Sequence, residues 1–570
     1  MPRMTSTTVT HTAAASSASW AGLVAAALLG TDRRTPPVTP RPGQDVAGAL
    51  LDAAAVRTVR RRAGLLPVAA RTVPGPAPED VRPPLPEAAR RRLEQLLAGR
   101  AAPGGRRGST PDLTELLPQW LAAANRHGYR APADLLPALL EAARARSDLR
   151  QEALALAGPR ALWLARLNPQ WKYALREGAG VGVADPRQAQ RVWREGLFAE
   201  RAAALAALRR TDAAAARELL ASTWAEERAE DRTMFLDALG EGLSLADEPF
   251  LEQALGDRAR NVRATAAALL SALPGSALSA RMAERARACL APGRAGDGTV
   301  ARILVEAPHE CDAGMERDGV EPTPPPGRGE RSWWLGRLVE AAPLSLWPAR
   351  LGVAGAEEAV ALPVADGWRA DLHAAWAGAA VRQHDAAWAR ALLGPADEPP
   401  LPEGAPGLDP ARLLAVLPPG ERAEWVAEFV AAHGLSQAFR LLGVCAVPWA
   451  EPLGRAVVDA LDSARDAGGY PWSFSGVMGL AERCLDPDAA GRLEVLTTLP
   501  AGPDETEVTA GAAGYWAEAF GRLVGTLRLR ATMRTELQPA AQQPAARQPA
   551  AGPAGPLGAA TPPRAGGCSP

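Results

Sequence analysis

Between residues 247 and 290 the apolar positions recur at the spacing of two antiparallel helices joined by a polar corner, and a third helix starts after Pro274-Gly275-Ser276. Phe250, Leu251, Ala254 and Leu255 share one face of the first helix at i, i+1, i+4 and i+5. Gly256 ends that helix, Asp257 to Arg260 form the corner, and Asn261 is the expected N-cap of the next helix. Val262, Ala266, Leu269, Leu270 and Leu273 then line its inward face. A hairpin with two apolar faces cannot bury both alone, so the pattern predicts stacked neighbours.

The same spacing extends along most of the chain. Ser19 can cap a helix over residues 20–29, and further helices are expected at 46–62, 87–98, 154–167 and 198–208. Pro169 is expected to stop the run that ends in LNPQWKYAL. The block starting at Asp212 returns at Asp247, and Phe235, Leu236, Ala238 and Leu239 fall on Leu269, Leu270, Ala272 and Leu273. Two helices recurring every 30 to 40 residues predict an α-solenoid. Few β-branched residues and abundant Ala, Leu, Arg and Glu agree with an all-α chain.

Six segments follow from this organisation. Residues 1–18 and 536–570 are expected to be disordered, the latter as an Ala/Pro/Gln/Gly tail. Residues 19–110 form a basic helical segment with Pro-rich loops, 111–292 a repeat block, 293–330 a linker and 331–535 a second helical block. Ten of the 16 tryptophans lie from Trp333 onward, which predicts large aromatic side chains in that block's core.

Charge and chemistry narrow the function classes. Net charge is −1, yet residues 1–110 hold sixteen arginines against seven acidic residues, a surplus suited to an anionic partner or to the acidic remainder of the chain. Arg60, Arg61 and Arg62 are the expected partner-binding cluster. Five scattered cysteines without a CxxC pair fit reduced thiols in a cytoplasm. The apolar run at 20–29 is too short to span a bilayer. Lys172, the only lysine, has no P-loop context, and GAGVGVADP (178–186) follows a helix rather than a strand, so it is expected to be an inter-helix loop. His309-Glu310-Cys311 lacks the paired spacing of a zinc site, and His373 and His384 are expected to be partly exposed helical histidines. The sequence assigns no catalytic residue, cofactor or metal. The loops RDGVEP (317–322) and GGYPWSFSG (468–476) are the segments best suited to line a pocket.

Asp257 in the corner and Val262-Arg263 opening the next helix resemble the pattern of HEAT repeats. In that family the corresponding Asp and Arg bridge neighbouring repeats, which makes Asp257 and Arg263 the implied ladder residues. LLGTDRR (28–34), LARLNPQW (164–171), LPGSALSARM (273–282), ECDAGMERDGV (310–320) and GERSWWL (329–335) further resemble an uncharacterised bacterial family of HEAT-like proteins, a domain of unknown function. Genes of that family tend to neighbour those of MoxR-like AAA ATPases and von Willebrand A-type proteins, so the resemblance implies such a partner system but no activity, and the expected function of the solenoid is a non-catalytic protein-interaction scaffold. The alternative is a nucleic-acid-binding or glycosylase-like HEAT protein with a site between the two blocks, although the arginine clusters at 60–62, 90–92 and 106–107 flank Pro-rich loops rather than the repeat block.

Overall fold

The computed structural model describes residues 19–62, 75–99, 113–177, 186–398, 408–498 and 507–539. The expected tail 1–18, the loop 178–185, the arginines at 106–107 and residues 540–570 of the tail expected at 536–570 lie outside them, whereas Glu536 ends a helix and Leu537 is buried. The chain divides into two compact units, residues 1–76 and 77–570. Among the described residues there are 28 α-helices and one two-stranded sheet, so the fold is all-α.

The first unit holds α1 (Trp20–Leu29) and α2 (Val46–Arg62). Ser19 caps α1 by accepting from the Gly22 amide at 3.1 Å, and Gly30, at φ +85°, ends it. Leu23, Ala26 and Leu50 are the buried contact of the pair.

The second unit begins with α3 (Glu87–Ala98), α4 (Leu113–Arg126), α5 (Leu136–Ala145), α6 (Arg150–Ala157), α7 (Pro159–Leu167) and α8 (Lys172–Glu177). Leu93, Leu96, Leu117, Trp120, Leu121, Leu139 and Leu140 fill their core. The helix expected over 154–167 is two helices. Gly158 turns the chain at φ +62°, and Pro159 starts the next helix without the N–H that the break would orphan. Nor does Pro169 end the helical path: it opens a 3₁₀ turn from which α8 resumes.

A second core runs without interruption from Ala189 to Leu527. It is built by α9 (Pro186–Glu195), α10 (Phe198–Thr211), α11 (Ala213–Ala221), α12 (Ala229–Ala238), α13 (Glu248–Ala254), α14 (Arg260–Ser271) and α15 (Ala277–Cys289). Here α10 packs on α12 and α12 on α14, the next-but-one contacts that stacked hairpins make. Asn261 is not the N-cap of α14. The helix starts at Arg260, and the Asp257 carboxylate takes the orphan amide of Ala259 at 2.8 Å instead.

The expected linker at 293–330 is folded. Strands β1 (Leu290–Arg294) and β2 (Val300–Val305) pair antiparallel around a turn at Gly298, and α16 (Ala313–Arg317) follows. The β-branched side chains of Val300, Ile303 and Val305 favour extended backbone there. Ile303, Met315 and Val320 are buried in the continuous core, so the two expected blocks are not separated at this point. The indoles of Trp333 and Trp334 donate to the carbonyls of Glu321 (2.9 Å) and Pro322 (3.0 Å) and hold the segment down.

Helices α17 (Glu330–Ala341), α18 (Leu346–Leu351), α19 (Ala356–Ala361), α20 (Arg369–Gln383), α21 (Ala386–Leu393), α22 (Pro410–Val416), α23 (Pro419–His433), α24 (Leu435–Leu442), α25 (Glu451–Asp466), α26 (Ser475–Cys484) and α27 (Ala490–Leu493) continue the core, with Trp347 and Trp376 fully buried. The 30-residue α28 (Glu507–Glu536) then joins both cores. Trp516, Phe520, Leu523 and Leu527 enter the larger one, and Met533 and Leu537 close the first. There the Tyr129 hydroxyl donates to the Leu537 carbonyl at 3.0 Å, and Arg92 forks onto Glu536 at 2.8 and 3.0 Å. The last helix of this unit thus packs on the first two, α3 and α4, a contact that an open solenoid does not make.

Candidate functional site

The two implied ladder residues have different roles. Asp257 reaches back to the preceding hairpin, where Arg232 of α12 donates to it at 3.2 Å. Among the described residues Arg263 bridges no neighbouring hairpin; its guanidinium donates to the carbonyls of Asp257 (2.9 Å) and Arg258 (3.0 Å) in its own corner.

Two fully buried carboxylates make the stronger cross-links. Asp247 accepts both arms of Arg209 at 3.0 Å, Arg217 at 3.0 Å and the Ser244 amide at 3.1 Å. Burial pushes its carboxyl up, but these bonds outweigh that and hold it below the usual carboxylate range. Asp318 likewise takes Arg281 (2.8 Å) and Arg285 (2.7 Å) of α15, and Arg281 extends to Glu252 of α13. For Asp318 too the hydrogen bonds from Arg281 and Arg285 overcome the upward push of burial. The RDGV motif is therefore a clamp. Its Gly319, at φ +91°, lies where a Cβ would meet the Ala267 Cβ at 2.4 Å.

The expected chemical candidates are similarly committed to structure. Arg60, Arg61 and Arg62 fall in the last turn of α2, and their side chains lie outside the described residues. Arg90 pairs with Glu94 and Asp134, and Arg92 with Glu536, so this cluster meets carboxylates of its own chain. His309 pairs with Glu306 at 3.0 Å, and among the described residues no group of three His, Cys, Asp or Glu side chains is placed to hold a metal. Burial pushes the Cys289 and Cys445 thiols up to about 11, which suppresses the nucleophilic thiolate. His384 ends α20 in the left-handed region at φ +53°. His373 is half-buried and stacked on Trp376, and its buried Nε2 has no hydrogen-bond partner among the described residues. Burial, with Arg369 one turn away, pushes its imidazole down to about 4.

A cavity of about 720 Å³ lies between α25 and the turns flanking α27. Trp449, Leu485 and Leu493 line it alongside Glu451, Arg455 and Arg492. Glu451 binds both arginines, and its carboxyl is held low by those hydrogen bonds. No His, Cys, Ser, Thr or Lys is among the lining residues, and its acidic members are Glu451, Asp459, Asp462, Asp486 and Asp488.

The loop 468–476 presents a different surface. Helix α25 ends in a Schellman motif: Gly468, at φ +74°, donates to the Arg465 carbonyl and Gly469 to that of Ala464, both at 2.9 Å. A Cβ on Gly469 would meet the Ala464 oxygen at 2.8 Å. Buried Pro471 starts a 3₁₀ turn over Pro471–Phe474, and the buried Trp516 indole of α28 donates to the Gly469 carbonyl at 2.7 Å. So fixed, the loop stacks Tyr470 on Trp472 at 4.3 Å with ring planes 14° apart. Tyr515 of α28 meets Trp472 edge-on at 5.4 Å. Trp472 is 57% exposed and Tyr515 52%, and they flank a groove of about 380 Å³ with Ser475, Met478, Glu518 and Arg522. Among the described residues no partner satisfies the Trp472 indole N–H or the hydroxyls of Tyr470 and Tyr515. The arrangement can stack flat apolar groups and hydrogen-bond their edges.

The sequence pointed to this loop through its Gly, Pro and aromatic content, but Tyr515 and Glu518 stand some 40 residues away on a helix and gave no such signal. The buried carboxylates were missed because Asp247 and Asp318 meet arginines 30 or more residues distant. One sign was present: Arg209 continues the apolar stripe of Leu205 and Leu208, where a charge needs a buried partner.

The sequence pattern of a family of unknown function, DUF5691, matches residues 22–537. No curated protein matches the chain.

Proposed function

Because the chain belongs to the family of unknown function DUF5691, which carries no assigned activity, we propose from its surface chemistry that it is a non-catalytic protein-interaction scaffold. The observation that carries this reading is the preformed groove lined by Trp472 and Tyr515, with Tyr470 stacked on Trp472. Two large aromatic side chains left more than half exposed, Trp472 on the rigid loop and Tyr515 on α28, favour association, since covering them removes apolar area from water at about 25 cal/mol per Å². Tyr and Trp are also the side chains that most often dominate interface energetics.

The partner suggested by the resemblance is an AAA ATPase of the MoxR type or a von Willebrand A-type protein. Arg60, Arg61 and Arg62 would steer an acidic partner surface by a salt-sensitive attraction. Full-length chain and its Trp472→Ala variant, each used to capture AAA ATPase subunits from the native cell, test the proposal. Recovery by the wild type and loss with Trp472→Ala is the expected result. Equal recovery by both would refute the groove as the docking site.

A further inference from the structure

The groove and the chain that follows α28 have complementary chemistry. Beyond Leu537 the sequence reads QPAAQQPAARQPAAGPAGPLGAATPPRAGGCSP, with prolines at 539, 544, 549, 553, 556, 562 and 563 before the last residue. Such a sequence favours the extended polyproline helix, in which every carbonyl stays free and the proline rings present flat apolar faces. Proteins take up segments of this kind on exposed Trp and Tyr rings, with ring donors meeting the free carbonyls. Trp472 and Tyr515, which line the groove, supply both the faces and the unmatched donors, and Tyr470 backs Trp472 by stacking on it.

We propose that the groove docks this chain's own proline-rich segment, within residues 544–564, in polyproline form. The inference rests on the reading of the groove as a peptide-docking site, and three observations make the occupant this segment. The first is reach. Tyr515 lies 21 residues before the end of α28 at Glu536, about 32 Å at 1.5 Å per residue. A polyproline chain doubling back at about 3.1 Å per residue covers that distance in about ten residues, which brings Pro549, Pro553 and Pro556 to the rings. The second is charge. Arg547 and Arg564 are the segment's only charged side chains. Glu518 is exposed one turn beyond Tyr515 on the same helix face and has no ion pair among the described residues, whereas its neighbour Arg522 is taken by Glu482 at 2.7 Å. The third is tethering. A short linker holds the segment near the groove at an effective concentration of order millimolar, so a weak motif suffices.

The docked segment covers Trp472 and competes with any partner for the same rings. A partner therefore engages by displacing it, and the chain carries its own brake.

A fluorescent peptide of residues 544–564 tests this in trans by anisotropy. The full-length chain is compared with a full-length variant whose Pro549, Pro553 and Pro556 are replaced by Ala. The peptide is expected to bind the proline variant about tenfold more tightly than the wild type, because the tethered competitor is disabled. Trp472→Ala added to that variant abolishes binding, and Glu518→Arg weakens it several-fold, with unchanged helical circular dichroism in both. Equal affinity for wild type and proline variant would overturn the inference, as would failure of the peptide to bind the proline variant. If the peptide fails while Trp472→Ala still loses the captured ATPase, the docking groove stands and its self-occupancy falls. If Trp472→Ala keeps the ATPase yet loses the peptide, the reverse holds.

Discussion

Replacing Asp247 by Asn tests which charges hold the helical stack together. In the wild type this carboxylate accepts four hydrogen bonds: two from Arg209, one from Arg217 and one from the Ser244 amide. Arg209 spends its other contacts on the carbonyls of Glu241 (2.9 Å), Ala213 (3.0 Å) and Leu239 (2.8 Å), so it cannot swing out to water. Both side chains of the pair are fully buried. Asn offers one acceptor oxygen and turns an amide donor toward the guanidinium, which leaves a buried positive charge without its counter-ion. Breaking one partner of such a pair costs about 3–5 kcal/mol. Arg263→Ala, by contrast, removes two hydrogen bonds to corner carbonyls that water can reach, at about 1 kcal/mol. Urea unfolding at pH 7 measures both. Amide exchange across residues 198–255 locates the damage, because a chain with two cores need not unfold in one step. If Asp247→Asn stays within about 1 kcal/mol of wild type, or if Arg263→Ala costs more than it does, the buried pair is not the cross-link described above.

Stability falls in two stages as pH is lowered. His373 titrates near 6.5 when unfolded but at about 4 in the fold, so the stability of its neutral form is full above pH 6.5 and drains away down to about 4. Asp247 and Asp318 have folded values below the ordinary 3.8, so their contribution is full above that value and is lost as pH falls through the lower folded one. Melting temperatures against pH should show both limbs, and His373→Leu should flatten only the upper one. Leu270→Asp should unfold the stack, since it forfeits about 1.5–3 kcal/mol of burial and inserts an unpaired carboxylate, whereas Arg258→Ala in the exposed corner should melt like wild type. Gly319→Ala should destabilise by about 1–3 kcal/mol through its clash with Ala267 and its left-handed backbone, read as a drop in urea midpoint.

Helix positions were largely legible because they depend on local spacing. The bounds of α1, α2 and α3 follow from the Ser19 cap, the apolar stripes and the flanking Gly and Pro. What the spacing could not carry was pairing at a distance. A stretch as polar as residues 293–330 reads as linker until Ile303 is seen to donate its amide to the Pro363 carbonyl at 2.8 Å and to lose its side chain to the core. Asp257 and Arg263 stood out by motif, yet Asp247 and Asp318, buried by contacts more than 30 residues away, carry the heavier load. At the groove, the rigid loop was readable from GGYPWSFSG. Tyr515 and Glu518 were not, since one more exposed side chain on a long amphipathic helix looks like any other.

The strap formed by α28 has a consequence for synthesis on the ribosome. Tyr129 and Leu537 are 408 residues apart in the chain, and Arg92 and Glu536 are 444 apart. At roughly 5–20 residues per second, roughly 20–80 s separate the emergence of the first bundle from that of the residues that cover it. Through that interval the core that holds Leu93, Leu117 and Leu121 lacks Met533 and Leu537, and Arg92 lacks the Glu536 carboxylate. The first-made part of this unit is the last to be finished. A nascent chain halted anywhere before Met533 exposes an apolar seam in a bundle whose own sequence is complete, which makes that bundle a natural client for a chaperone until the far end of the chain arrives.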